Sequence, residues 1–199
     1  MRKVGQRVLA MSVLGCGLTA CSTSYFTDLV NTSRVYADLA SPGLISWTYA
    51  KPSTSGGSIT GSSVITPPSV TVTLDPNSSP VTLNTAQADF YDTTASADSK
   101  GKPALTSLGL NTMFFPFNAV LQQKDRATQP QTTTVVLNGL INISLVNLTY
   151  FNPNPGASDS NKITSVVGKV TLQGSNALGQ KVSANVNVPI NVTYGAVPQ

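Results

Sequence analysis

The sequence predicts an all-β protein built as an antiparallel sandwich, and three observations carry that prediction. Val182, Ala184, Val186, Val188, Ile190, Val192 and Tyr194 occupy every even position of one stretch, the period of a half-buried strand. Shorter runs of the same kind recur along the chain, separated by clusters of Asn, Pro, Gly and Ser. Beyond position 21 no cysteine remains, so the body must bury its own core without disulfides.

The N-terminal segment is of another kind. Arg2, Lys3 and Arg7 precede an apolar run, Val8 to Gly17, broken only by Ser12. That run falls well short of the roughly 20 residues needed to cross a bilayer. A charged start, a short apolar run and small residues before a cut describe an export signal. The small residues end in Leu18-Thr19-Ala20-Cys21, which resembles the lipobox of bacterial lipoproteins. The resemblance implies cleavage after residue 20, acyl chains such as palmitate on Cys21, and attachment to a membrane of the cell envelope. By analogy with diderm sorting, Ser22 favours the outer membrane where the organism has one. Cys16, behind Val13-Leu14-Gly15, is the weaker alternative, because Leu14 stands where a small residue is preferred. Two or more acyl chains hold stably, since each buried methylene contributes about 0.8 kcal/mol.

Residues 21–63 read as a lipid-anchored arm and linker with room for a first strand, and 64–199 as the sandwich domain. Phe26, Leu29, Val30, Val35, Tyr36 and Leu39 have loose helical spacing, so the arm is expected to be extended or partly helical. Tyr25 and Phe26 would lie near the headgroups. Pro52 to Ser63 has the composition of a flexible connector. Strands are expected at 44–49, with Ile45, Trp47 and Tyr49 on one side, at 70–74, from 81 towards Phe90, and at 163–172. Residues 114–121 read as extended, since Gly109 and Pro116 would break a helix. Asn138-Gly139 tolerates the backbone of a tight hairpin turn, which would set Val136 opposite Ile141 and Thr134 opposite Ile143; the alternative is one long strand with a bulge at Gly139. The apolar phase then slips between Leu145 and Val146, as at a bulge or a strand crossing between sheets. Pro189 cannot donate to a ladder and predicts an edge or a bulge within the last strand. Such strands, with turns at 75–80 and 152–156, suggest an immunoglobulin-like sandwich. Asn152-Pro153-Asn154 is similar to a tripeptide of desiccation-associated water-stress domains, also antiparallel sandwiches, and no function is carried across on it.

Composition narrows the chemistry. The chain of 199 residues has 12 Lys and Arg, 8 acidic residues, all of them Asp, and no His. No His-based triad, paired-Glu site or His/Cys metal site can be built from this set. Only Asp, Lys and Tyr remain as acids or bases, and neither cofactor nor metal is expected. Removing Arg2, Lys3 and Arg7 leaves the body nearly neutral, which argues against nucleic acid as a partner. Ser99-Lys100-Gly101-Lys102 has the Ser-x-x-Lys spacing of some serine enzymes but stands alone in a Gly/Lys/Pro loop. A hydrolase using Ser99 and Lys102 is the weakest of the readings. Asp89 with Asp92, and Asp159 with Asn161, are the nearest approach to a calcium site, and turn or solvent roles suit them better.

Asn185, Asn187, Asn191 and Thr193 form an outward row of amides and a hydroxyl, the candidate binding residues. In Phe114-Phe115-Pro116-Phe117, alternation leaves room for one exposed ring. The preferred reading is a non-enzymatic, lipid-anchored envelope protein that binds or scaffolds another envelope component, protein or glycan. The alternative is a module for a glycan on the Asn/Thr face, or for a small apolar molecule between the sheets.

Overall fold

A computed structural model describes residues 33–52, 56–93, 106–122, 129–154 and 162–198. The lipobox with Cys21, the alternative Cys16, the rings of Tyr25 and Phe26, and Ser99, Lys102, Asp159 and Asn161 lie outside them. The described chain forms β1 (Val35–Ser41), β2 (Gly43–Ala50), β3 (Thr60–Thr66), β4 (Ser69–Leu74), β5 (Val81–Asp92), β6 (Thr106–Ser107), β7 (Met113–Leu121), β8 (Gln131–Val136), α1 (Ile143–Leu148), β9 (Ser165–Asn176) and β10 (Lys181–Tyr194). Two sheets face each other. The shorter has the order β1-β4-β8; the longer, seven-stranded one runs β3-β2-β10-β9-β5-β6, with β7 also on β5. This is the β-sandwich that the alternation predicts, antiparallel in every pairing described but that of β2 with β10.

Alternation sets the inside of each strand. In β4, Val70, Val72 and Leu74 are buried while Ser69, Thr71 and Thr73 turn outward. In β10 the even residues from Ala184 to Val192 are buried, and Asn185, Asn187, Asn191 and Thr193 are exposed. Ile45, Leu83, Leu121, Leu172 and Ile190 close the space between the sheets with no exposed surface.

Four regions differ from the sequence expectation. Residues 35–41, expected as arm with a helical tendency, are strand. β1 pairs with β4, with Val35 opposite Leu74, through a bulge near Leu39 and Ser41. Past Pro42 the chain enters the longer sheet, where β2 runs parallel to β10. Pairing to a partner far along the chain outweighs the loose 3.6-residue spacing of Val35, Tyr36 and Leu39. Residues 60–63, expected as connector, begin β3, with Gly61 opposite Tyr49 and Ser63 opposite Trp47.

The hairpin expected at Asn138-Gly139 is absent, because neither residue takes a positive φ, which the tightest two-residue turn requires. Gly139 is instead a close approach, where a Cβ would lie 2.7 Å from the Phe115 Cβ. The chain continues into a one-and-a-half-turn helix. Asn142 caps α1, its Oδ1 accepting from the Leu145 N–H at 2.9 Å. Leu145 and Val146, adjacent in sequence, are both buried, which a helix allows and an alternating strand does not. The apparent phase slip therefore marks a helix. Residues 137–149 pack on the longer sheet: Leu140 lies beneath Gly168, and Ile141 against Gly43.

Pro189 marks neither a strand at the margin of the sheet nor a bulge. β10 lies between β2 and β9, and its register with β9 runs unbroken from Lys181 to Asn191. The ladder to β2 begins only at Ile190, so Pro189 sits one residue before that ladder starts. The bulge of the longer sheet lies in β5, between Leu83 and Thr85. Gly174 faces it, and a Cβ there would come within 1.9 Å of the Thr82 carbonyl oxygen.

Candidate functional site

The outward face of β5, β9, β10 and β2 brings the candidate row together with side chains that spacing alone did not single out. Cross-strand register sets Asn185 opposite Thr171 and Asn187 opposite Lys169. On the next strand Lys169 stands opposite Asp89 and Thr171 opposite Gln87. Directly opposed residues share a face and lie within side-chain reach, so two amides, a hydroxyl, a cation and a carboxylate form one patch.

The contacts within it are short. Thr171 Oγ1 donates to Asn185 Oδ1 at 2.8 Å, and Thr112 Oγ1 to Asp89 Oδ1 at 2.6 Å. Lys169 Nζ lies 4.4 Å from the centroid of the Tyr91 ring, a cation–π separation that holds the ammonium over the sheet. Asp89, Lys169, Thr171, Asn185 and Asn187 border a shallow depression of about 320 Å³. A second, of about 570 Å³, begins at the same Thr171 and runs past Gln173 and Ser183 to Lys181. Gly174, beside the β5 bulge, is among its lining residues.

Asn191 and Thr193 lie further along the same face, opposite Leu44 and Ser46, and Thr193 Oγ1 donates to Ser46 Oγ at 3.2 Å. The four candidates thus share one face, in two groups with Pro189 between them. Asp89 and Asp92 both lie in β5, three residues apart and therefore on opposite faces of the strand. Phe114 is the exposed ring, at 66%, whereas Phe115 and Phe117 are buried. It stands opposite Gln87, at the border of the patch. The alternation of residues 163–172 carries the signal for Lys169 and Thr171, since their odd phase sets them on the polar side. What a single strand could not indicate is that β9 lies next to β10.

A different polar cluster organises the far end of the sandwich. Trp47 Nε1 donates to Thr149 Oγ1 at 3.2 Å in the interior, and Thr149 Oγ1 donates in turn to the Val146 carbonyl. Tyr194 Oη donates to the carbonyls of Thr149 and Ile163, and Tyr49 Oη to that of Phe151. Burial, then the neighbouring Tyr49, pushes the Tyr194 phenol up to about 12, and burial with Tyr150 raises that of Tyr49. Asn154, of the Asn-Pro-Asn tripeptide, accepts from the Ile59 N–H at 2.8 Å and donates to the Ile59 carbonyl at 3.1 Å. These bonds join the segments around α1 to β2, β10 and the start of β3. They are architectural.

At the opposite end Asn176, nearly buried, holds the turn between β9 and β10. Its Oδ1 accepts from the N–H groups of Leu178 and Gln180, and its Nδ2 donates to Gln180 Oε1 and Ser33 Oγ. The described chain therefore begins at this end, where Ser33 Oγ also donates to the Ser79 carbonyl. Among the described residues no helix is long and apolar enough to cross a membrane. No protein-family model matches the chain, and a search of curated proteins finds no significant relative.

Proposed function

We propose that the chain is a lipid-anchored cell-envelope protein whose sandwich, without chemistry of its own, binds or scaffolds another envelope component on the outward face of its longer sheet. The observation that supports it is the patch of Asp89, Lys169, Thr171, Asn185 and Asn187 around an open depression. Opposed donors and acceptors, a cation and a flanking ring suit reversible recognition of a polar protein surface. Cys21, read as the acylated residue, supplies the tether. The described chain enters the sandwich at the Ser33 end.

A glycan is the second reading, favoured by the same amides and by the Tyr91 ring. Lys169 already covers that ring, which favours protein over sugar. A photocrosslinking residue placed at Asn187 in intact cells tests the proposal, with one at the exposed Thr132 of the shorter sheet as control. A discrete protein adduct from position 187 alone is the expected result. Glycan adducts from that position would move the assignment to the second reading. Equal labelling from both positions, or bulk lipid only, would remove the face from consideration.

A further inference from the structure

Among the described residues, the margin of the longer sheet at β3 has a property that the other edges lack. Both edges of the shorter sheet are sheltered, since β1 lies against β10 and β8 against β7. On the other margin of the longer sheet β7 carries Pro116 at its centre, one of the devices by which exposed edges resist pairing. Among the described residues β3 pairs with β2 alone. None of its seven residues is buried, and Val64 and Ile65 are 67% and 42% exposed. No charged residue occurs between Lys51 and Asp75, so the edge lacks the lysines that usually guard such strands. It is also bounded. Asn154 occupies the N–H and carbonyl of Ile59 just before it, and Pro67-Pro68 stops it just after. What lies between is one strand's length of backbone that, among the described residues, is paired on one side only.

We propose that this edge is a self-association site, where β3 of a second copy adds antiparallel about a two-fold axis through Ser63. The occupant follows from the residues themselves. That register sets Thr60 opposite Thr66, Gly61 opposite Ile65 and Ser62 opposite Val64, so each bulky side chain meets a small one and no like charges oppose. The match is self-complementary, as a two-fold interface requires. The partner's Ile65 would come opposite Gly61, the position whose side-chain space is taken by the rings of Tyr150 and Tyr49, at 2.7 and 3.2 Å from an added Cβ. Two seven-stranded sheets would then continue as one across the axis. The inference rests on β3 alone and is independent of the open face and of the anchor.

The test uses the full chain in mild detergent, with molecular mass measured by sedimentation across a dilution series. The unsubstituted chain is expected as a dimer at the concentrated end, and the double variant Val64→Lys/Ile65→Lys at half that mass throughout. Both side chains are exposed, and an unchanged circular dichroism spectrum confirms that the fold is intact. Register is read separately. Under mild oxidation Ser63→Cys should give a disulfide-linked dimer beyond whatever the unsubstituted chain forms through Cys16 and Cys21, and Thr60→Cys should not. A monomer at every concentration, a dimer unaffected by the two lysines, or equal linking from positions 60 and 63 would overturn the proposal. So would Ser63→Cys linking in cells to a different protein instead of to its own copy.

Discussion

The two margins of the longer sheet solve the same problem differently. At β7 every second residue from Phe115 to Leu121 is buried, the strand follows the bulge of β5, and Pro116 contributes no N–H. At β3 nothing is buried, no proline or charge intervenes, and the strand is held by its ladder to β2 and by Asn154 at one end. One margin closes the core. The other adds backbone without adding core, so the fold has little need of β3, and exposed backbone of this kind persists most readily where something pairs with it.

The largest expected difference is between Phe115→Ala and Val64→Ala. Removing the buried ring should cost about 3–5 kcal/mol by lost burial and cavity formation, and trimming the exposed valine less than about 0.5 kcal/mol. Equal costs in urea unfolding would show that β3 belongs to the core after all. A finer version compares two glycines. Gly139→Ala would press a methyl group onto the Phe115 Cβ, anchored close to the backbone, whereas Gly61→Ala meets the outer edges of the Tyr150 and Tyr49 rings. Overpacking typically costs about 1–3 kcal/mol, and Gly139→Ala should fall in that range with Gly61→Ala below it, because ring edges can move aside.

The alkaline response should also be lopsided. Tyr194 and Tyr49 hold the β2 side of the sheet to the segments around α1, and both phenols are raised by burial. A raised phenol favours the protonated form in the folded state. Its contribution is therefore complete below pH 10 and is lost as pH climbs from 10 towards about 12. Hydrogen exchange over that window should accelerate first in β2 and β3, and later in β5 and β7. Tyr194→Phe should flatten the dependence. Uniform acceleration would mean that the phenols do not control this end.

The smallest effect concerns Pro116. Pro116→Ala should change stability by less than about 0.5 kcal/mol, because the residue is exposed on an edge strand. In a chain that also carries Val64→Lys and Ile65→Lys, it should promote association through the opposite margin, seen as a larger sedimenting mass. No change in mass would mean that Pro116 is not what guards β7.

The strands that were legible in sequence are those that bury one face cleanly. β10, β4 and β2 follow the period of two, and β7 follows it through Phe115, Phe117, Ala119 and Leu121. β3 was hidden because a strand that buries nothing has no reason to alternate, and Thr-Gly-Ser-Ser reads as connector. β1 was hidden for a related cause: Tyr36 lies on the outward side, 49% exposed, so an apolar residue out of phase with Val35 and Leu39 mimics a loose helix. Around α1 the error was one of period, since Leu140-Ile141 and Leu145-Val146 are buried as adjacent pairs, the first read as part of one alternating strand and the second as a slip between two. The asparagine and threonine row was legible from β10 alone. Lys169 and Asp89 joined it only through the order of β10, β9 and β5, a tertiary fact that the local pattern does not carry.

Everything proposed for location depends on the sulfur at position 21. Intact-mass measurement of the native protein from membranes tests that most directly. The account predicts a chain beginning at Cys21 and heavier than its amino-acid mass by the acyl groups it carries. An unmodified Cys21, or a chain still beginning at Met1, would contradict it.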